Sequence, residues 1–245
     1  FFAAFRQGGN LQRFLFPTDK RTHTTIGPEQ RKIHGPSQAR VNRYLTCPQA
    51  YKLRYLDGLP EPMTDYYQQG AWMHDTIEAY ARHCYASGRE TDIDWLEARR
   101  TAAQEDWQCT QLQALSQFLG FDWSTAIVDQ GGIERSFDVA LPNGDRLVGR
   151  TDLVQYSELN DTLYITDYKL GYAMQSAEEV PGQLLLYAWA MLQEFPTPSS
   201  VVATYSYPLL GRVRDWTITP PVHIDWFTAL IEQVLSDGSW PARCW

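Results

Sequence analysis

The sequence predicts an α/β protein in which a mixed β-sheet is flanked by helices and preceded by a helical lobe. Apolar and aromatic residues recur at helical spacing through the first half of the chain. The second half contains short apolar or alternating runs that are typical of strands, separated by turn residues. The middle of the chain therefore follows the order αβββαβ, which is the pattern of a sheet with helices packed on it.

The predicted elements divide the chain into three parts. Residues 1–36 are polar and rich in Gly and Pro, so we expect an irregular N-terminal arm. Residues 37–125 are expected to form the helical lobe, and residues 126–245 the core with a C-terminal strand pair and helix. The turn sequence Pro142–Asp145 predicts a hairpin between the first two strands. In order, we predict helices at 38–56, 71–86 and 92–118, strands at 133–141, 146–156 and 162–169, a helix containing Gln183, strands at 200–207 and 212–219, and a helix at 223–236.

An Asp-Tyr-Lys sequence ends the third predicted strand. Residues two apart on a strand point to the same face, so Asp167 and Lys169 project together while Tyr168 points the other way. A hairpin through the turn-like segment 157–161 would bring Asp152 beside Asp167. A carboxylate can hold a hard divalent ion, and a neighbouring ammonium can stabilise charge on a phosphodiester. An isolated Asp-x-Lys, however, is more often a strand end with a surface ion pair.

Two predicted helices supply further polar residues. His74 and Glu78 are four residues apart and share one helix face, as do Gln183 and Tyr187 on a strongly apolar helix. A lone histidine on a helix is most often a structural residue. Here four separate elements offer polar groups that can converge, which favours a functional site.

Five short motifs follow one another in the chain, and each by itself is weak. They are Cys47-Pro-x-x-Tyr51, Gly70-x-x-x-His74, Gly149-x-x-Asp152, Asp167-x-Lys169 and Gln183-x-x-x-Tyr187. Their order resembles the RecB-like branch of the PD-(D/E)xK nucleases, which includes CRISPR-associated RecB-like exonucleases and AddB-type subunits of helicase–nuclease complexes. The resemblance covers residues 37–192 and, more loosely, the rest of the chain. It implies a restriction-endonuclease-like core and hydrolysis of phosphodiester bonds in DNA.

The resemblance implies a metal site. It makes His74, Asp152 and Asp167 the side-chain ligands and the Tyr168 carbonyl a fourth ligand. Glu134 lies where the family often has an acidic residue, although a solvated strand residue fits this position equally well. Two carboxylates and a carbonyl suit Mg²⁺, and an imidazole shifts the preference toward Mn²⁺. We therefore expect activity with both ions.

The resemblance also assigns catalytic roles. Lys169 becomes the catalytic cation, which acts together with Asp152 and Asp167. Gln183 and Tyr187 would support Lys169 or contact the DNA backbone. Hydrolysis of a phosphodiester needs a positioned water and positive charge where the transition state becomes more negative, so these residue types belong together.

Composition sets limits on the class of protein. The chain has 245 residues and a mass of 28.2 kDa, and 44% of its residues are hydrophobic, enough to bury a sizeable core. No apolar run approaches the ~18–20 residues that span a bilayer, so we expect a soluble cytoplasmic protein without membrane contact, and the resemblance implies a prokaryotic or phage origin. The chain begins at Phe1 rather than Met, which is typical of a trimmed sequence. The net charge of −8 excludes a surface that is positive throughout, but a nuclease needs only a local basic path.

A candidate basic path for DNA lies in the first predicted helix. It combines cations with tyrosines on which the bases of a single strand could stack. The alternative is an amphipathic helix whose tyrosines face the core. The residues concerned are Arg40, Arg43, Lys52, Arg54, Tyr44, Tyr51 and Tyr55.

The four cysteines allow two readings. In a reducing compartment free thiols are the default, and this applies to Cys84 and Cys109. Many members of the resembled family bind a [4Fe-4S] cluster through a cysteine at the position of Cys47 and three near the C-terminus, of which Cys244 resembles the first. Because a cluster needs four ligands, we expect one only if a parent chain continues past Trp245.

Three classes of function compete. A metal-dependent deoxyribonuclease is favoured, and an exonuclease in particular, because family members with the Gly-x-x-x-His motif usually process DNA ends. The rival is a catalytically silent DNA-binding or scaffold subunit of a helicase–nuclease or CRISPR-adaptation-type complex. A small-molecule phosphohydrolase would need a Gly-rich phosphate loop, which the sequence lacks. The fold cannot choose between CRISPR adaptation, DNA repair, phage replication and phage defence.

Overall fold

Five helices precede the sheet in the part of the chain that the structure describes. The computed structural model describes residues 38–60, 64–122, 126–127, 132–142, 144, 146–171, 174, 178–195 and 198–236. The helices are α1 (Gln38–Thr46), α2 (Pro48–Tyr51), which continues into a π-helical turn (Lys52–Leu56), α3 (Asp65–Ser87), α4 (Ile93–Thr101) and α5 (Asp106–Phe118). The predicted arm, residues 1–36, lies outside the described residues, and the boundary at 125/126 stays a prediction.

Local signals delimit α3, the longest helix. The Thr64 hydroxyl accepts a hydrogen bond from the Tyr67 N–H at 3.3 Å, which caps the first turn. Gly88 ends the helix in the left-handed conformation, with φ of 67°. The buried face of α3 includes Met73, Ile77, Tyr80, Ala81 and Cys84. Their spacing of three and four residues is the helical period that the sequence predicted.

Two predicted helices are interrupted. The helix expected at 38–56 breaks at Cys47, whose sulfur accepts a hydrogen bond from the Ala50 N–H at 3.4 Å and caps α2. The helix expected at 92–118 breaks after Thr101, because Glu105 and Gln108 form a reciprocal capping box that starts α5. Apolar periodicity continues across both breaks, so the period alone could not reveal them.

The sheet is mixed, as predicted. Its strands are β1 (Ala126–Ile127), β2 (Ile133–Ala140), β3 (Arg146–Ser157), β4 (Thr162–Tyr168), β5 (Ser200–Tyr207) and β6 (Arg212–Ile218). The strand order is β1-β3-β4-β5-β6, and β2 also pairs with the long strand β3. Only the β4–β5 pair is parallel among the described strands, because α6 (Gly182–Glu194) carries the chain between them. Helix α7 (Asp225–Ser236) follows β6.

The hairpins form where the turn residues predicted them. Ala140 pairs with Arg146 across the Pro142–Asp145 segment, of which Asn143 and Asp145 lie outside the described residues. Ser157 pairs with Thr162 across the next turn.

The helical lobe and the sheet share one core. Buried side chains of α3, α4 and α5 pack with Ile133, Leu153 and Tyr168 of the sheet. Helix α6 contacts β2, β4 and β5. Tyr168 therefore faces α3, whereas its neighbour Asp167 hydrogen-bonds to Gln183 of α6 at 3.1 Å. At this point the sheet lies between α3 and α6.

Within the described part of the chain, no helix has both the length and the apolar character needed to cross a bilayer.

Candidate active site

The β3–β4 hairpin brings the two predicted aspartates together. Leu153 pairs with Thr166, which places Asp152 opposite Asp167 at the open end of the hairpin. The Asp152 carboxylate accepts a hydrogen bond from the Tyr168 backbone N–H at 2.6 Å, so β4 itself holds this side chain in place. Beyond β4, the Lys169 N–H donates to the Ser206 carbonyl at 2.8 Å and extends the pairing with β5 by one residue. The end of β4 is thus held from both sides.

A hydrogen-bond network surrounds Lys169. Its Nζ lies 2.7 Å from Asp167 Oδ2 and donates to Gln183 Oε1 at 2.8 Å. The Gln183 amide nitrogen donates to Asp167 Oδ1 at 3.1 Å and to the Tyr187 hydroxyl at 2.8 Å. The Tyr205 hydroxyl donates to Gln183 Oε1 at 3.2 Å, and the lysine ammonium lies 4.5 Å from the Tyr205 ring centre. Gln183 therefore bridges the acid and the lysine and orients both.

A second cluster lies beside this network. One ligand atom from each of His74, Glu134 and Asp152 lies within 4.8 Å of the others, and His74 Nδ1 is 3.7 Å from Asp152 Oδ1. Helix α3 supplies the histidine, β2 the glutamate and β3 the aspartate. Arg150 pairs with Glu134 at 2.6 Å on the outer side. The second polar residue predicted on this face of α3, Glu78, is instead paired with Arg82 at 2.8 Å.

Glu134 occupies an unusual backbone conformation. Its φ of 55° is in the left-handed region, which costs a residue other than glycine about 1–3 kcal/mol. Pairing of Ile133 with Leu153 and of Arg135 with Thr151 places Glu134 opposite Asp152. Two like charges in directly opposed positions are unfavourable in a sheet. The Arg150 guanidinium, 2.6 Å from Glu134, offsets part of this repulsion, and a bound cation would offset more of it.

The electrostatics of the clustered carboxylates support this interpretation. Burial, and secondly Asp152, raises the pKa of Glu134 to about 7. Burial, and secondly Asp167, raises the pKa of Asp152 to about 7. Burial also raises the pKa of Asp167, against the opposing effect of Lys169. Burial lowers the pKa of His74, so its imidazole favours the neutral form that ligates metals.

The donor set fits a divalent metal ion. Two carboxylates and a neutral imidazole converge within bonding reach of a common centre, and carboxylates with raised pKa values gain most from a bound cation. Of the predicted ligands, His74 and Asp152 belong to this cluster, together with Glu134. The two oxygens of Asp167 contact Lys169 and Gln183 instead. The Tyr168 carbonyl stays a predicted ligand.

Two of the three tyrosines in the predicted basic path are not exposed for base stacking. Tyr44 and Tyr51 are buried and pack with Tyr55 in a small core cluster, so the amphipathic-helix alternative is correct for them. Lys52 pairs with Asp57 at 2.7 Å. The π-helical turn and the break at Cys47 also interrupt the continuous helix that was expected at 38–56.

The cysteines differ from one another. Cys84 and Cys109 are free, as expected. Cys47 is disulfide-bonded, which departs from the default of free thiols in a reducing compartment. Cys244 lies outside the described residues.

Two site residues carried weak or no signals in the sequence. For Glu134, a site residue and a solvated strand residue were equally good interpretations of the sequence, because only the pairing of β2 with β3 places it beside Asp152. Tyr205 was missed altogether. It lies opposite Asp167 in the parallel β4–β5 pair. The sequence does not show the register between two strands that are far apart along the chain.

The fold and the site together define a class. A mixed sheet that carries two aspartates and a lysine at the ends of two central strands, flanked by helices that add a histidine and a glutamine, is the arrangement of metal-dependent nucleases. The chain belongs to the PD-(D/E)XK nuclease superfamily, whose family model matches residues 36–229. Nucleases of this superfamily use divalent metal ions.

Two solved structures resemble the chain at low sequence identity. The crystal structure of a "Putative exonuclease" from Eubacterium rectale is 11% identical, covers 92% of this chain and 90% of its own, and superposes with a TM-score of 0.49. The crystal structure of SSO0001 is 12% identical, covers 71% of this chain and 86% of its own, and has a TM-score of 0.33. No curated protein matches the chain.

Proposed function

We propose that this protein is a metal-dependent deoxyribonuclease of the RecB-like branch, and that it acts as an exonuclease on DNA ends. The observation that carries the proposal is the position of Lys169. Its ammonium is held by Asp167 and Gln183 beside the cluster of His74, Glu134 and Asp152. A half-buried cation that is oriented next to a metal-type donor set matches the needs of phosphodiester hydrolysis.

The residues divide the chemical work between them. His74, Glu134 and Asp152 would hold Mg²⁺ or Mn²⁺, and the bound ion would lower the pKa of a water and polarise a phosphoryl oxygen. Lys169 orients the attacking water and stabilises the negative charge that develops on the phosphate. Gln183 keeps the ammonium in position, and its own amide is fixed by Tyr187 and Tyr205.

Charge separation within the site supports these roles. The carboxylates of the metal cluster are offset by Arg150 on the outside, whereas Asp167 is offset by Lys169 on the inside. Cytoplasmic location and a helicase or other DNA-processing partner stay predictions from the resemblance.

Digestion of three DNA substrates tests the proposal. End-labelled linear single strands, linear duplex and closed circular single strands are incubated with Mg²⁺ or Mn²⁺. We expect digestion of linear substrates and survival of circles. Cleaved circles would mean an endonuclease, and intact substrates throughout would contradict the assignment as a nuclease.

Substitutions then separate the roles of the lysine and the metal ligands. Lys169→Met should reduce cleavage by at least about 100-fold, because it removes a charge aimed at the transition state, while Mn²⁺ affinity measured by calorimetry stays near that of the wild type. Asp152→Asn should weaken both. Arg146→Met is the matched control, since this exposed arginine pairs with Asp138 farther along the β2–β3 hairpin. Equal Mn²⁺ affinity in the Lys169 and Asp152 variants would refute these roles.

A further inference from the structure

A cavity opens directly beside the catalytic lysine. It has a volume of about 370 Å³, and its lining includes His74 and Lys169 as well as residues that the mechanism does not use. This volume is at the lower end of the ~300–1,000 Å³ range of small-ligand sites. Because Lys169 lines the cavity, a strand whose phosphate contacts this lysine would have a neighbouring nucleotide within reach of the mouth. A group that enters the cavity would then belong to a nucleotide next to the scissile bond.

The walls of the cavity offer aromatic surface. Tyr66 and Tyr67, in the first turn of α3, line it and are 67% and 50% exposed. Their ring centres are 6.2 Å apart and nearly perpendicular, so both rings keep a free edge or face. Leu170 and Leu209 complete an apolar lining. Exposed aromatic rings beside a phosphate-binding cation are typical of proteins that stack on the bases of single strands.

A buried amide adds a polar contact to this lining. Gln111 of α5 lines the cavity, is only 5% exposed, and its Oε1 has no hydrogen-bond partner among the described residues. A buried polar oxygen without a partner is destabilising, and a ligand that donates a hydrogen bond to it would recover this loss. Because a glutamine amide carries both an acceptor and donors, it matches the mixed donor and acceptor edge of a nucleobase.

Gly70 leaves open space on the wall of the cavity. A Cβ at this position would meet no atom within 4 Å, so packing does not require glycine here. Glycine inside a helix is destabilising relative to alanine. Because it has no side chain, the space next to its backbone stays free for a ligand.

We propose that this cavity is a nucleobase subsite, in which an unpaired base next to the scissile phosphate stacks on Tyr66 and Tyr67 and hydrogen-bonds to Gln111. The inference rests on the proposed nuclease function and names its substrate as single-stranded DNA. A base that remains paired and stacked in a duplex cannot enter the cavity. Duplex ends are then digested only after they fray or are unwound.

Strands with single abasic residues test the subsite. End-labelled single strands carry one abasic residue at successive positions, and cleavage is followed bond by bond. For the wild type we expect one bond next to the abasic residue to be cleaved about tenfold more slowly than the same bond of the intact strand. Gln111→Leu and Tyr67→Ala should cleave intact strands as slowly as the wild type cleaves abasic strands. These two variants should therefore show no difference between intact and abasic strands. Tyr164→Ala, at the other end of β4, is the control and should keep the difference.

Three results separate the inference from the proposed function. Equal cleavage of intact and abasic strands by an active wild type would overturn the subsite and leave the nuclease assignment standing. If no DNA is cleaved, the proposed function fails, but fluorescence anisotropy with the same strands still tests the subsite. In that assay, about tenfold tighter binding of the intact strand supports the subsite, and equal affinity for intact and abasic strands overturns it. A role of Gln111 in folding alone would show as a lower thermal midpoint for Gln111→Leu with unchanged discrimination between the strands.

Discussion

Binding of Mn²⁺ should release protons from the metal cluster. Glu134 and Asp152 both have pKa values raised to about 7, so at neutral pH each carboxyl is protonated about half of the time. A carboxyl group binds a metal ion only when it is deprotonated. The His74 pKa is lowered, so the imidazole is already neutral and releases little. The apparent affinity for Mn²⁺ is therefore expected to rise with pH.

The size of this effect follows from the two pKa values. If the carboxyls titrate independently, both are ionised in about one quarter of molecules at pH 7, about 1 in 120 at pH 6 and about four fifths at pH 8. The apparent affinity should then fall about thirtyfold from pH 7 to pH 6 and rise about threefold from pH 7 to pH 8. About one proton should be released per ion at pH 7.

Calorimetry in buffers of different ionisation enthalpy measures both quantities. Glu134→Gln keeps the shape of the side chain but removes one titrating group, so the change between pH 6 and pH 7 should shrink to about fivefold. Arg146→Met is the matched control, because this exposed arginine pairs with Asp138 away from the metal cluster and should leave the pH dependence unchanged. An affinity for Mn²⁺ that does not change between pH 6 and pH 7, or a Glu134→Gln variant that releases as many protons as the wild type, would refute the reasoning.

Two further predictions concern stability. Gly149→Ala would place its Cβ 2.3 Å from the Phe137 ring, so we expect a loss of about 1–3 kcal/mol in urea unfolding. Gly70→Ala should instead stabilise the protein by roughly 0.5–1 kcal/mol, because its Cβ meets no atom within 4 Å and alanine is the better helix former. An unchanged midpoint for Gly149→Ala would show that the ring moves freely. The hydrogen bond from His83, and secondly the one from the Trp95 N–H, lowers the pKa of Asp92 to about 2. The Asp92 carboxylate therefore stabilises the fold above about pH 4, and this stabilisation is lost as the pH falls toward 2. Thermal midpoints of the wild type and Asp92→Asn should therefore differ at pH 7 and converge near pH 2, and a constant difference would contradict the linkage.

Local sequence signals predicted much of the architecture. Apolar alternation and turn residues located the sheet strands from residue 133 onward to within one or two positions, and the αβββαβ order predicted a mixed sheet. The breaks at Cys47 and after Thr101 were missed, because helix caps depend on which polar side chain folds back on the backbone. The tyrosines of the first helices could have faced either solvent or the core. Burial of Tyr44 and Tyr51 was decided by the elements that pack on them.

The sequence by itself determined that Asp167 and Lys169 share one face of a strand, that a short hairpin brings Asp152 to them, and that the histidine lies on a helix. These relations depend on residues that are neighbours along the chain, so the period of a strand or helix is sufficient. Only the tertiary structure decided that Glu134 lies opposite Asp152, that Tyr205 holds Gln183, and that Gln111 lines a cavity next to the lysine. Strand register and helix packing depend on the sum of many long-range contacts, none of which any local pattern specifies.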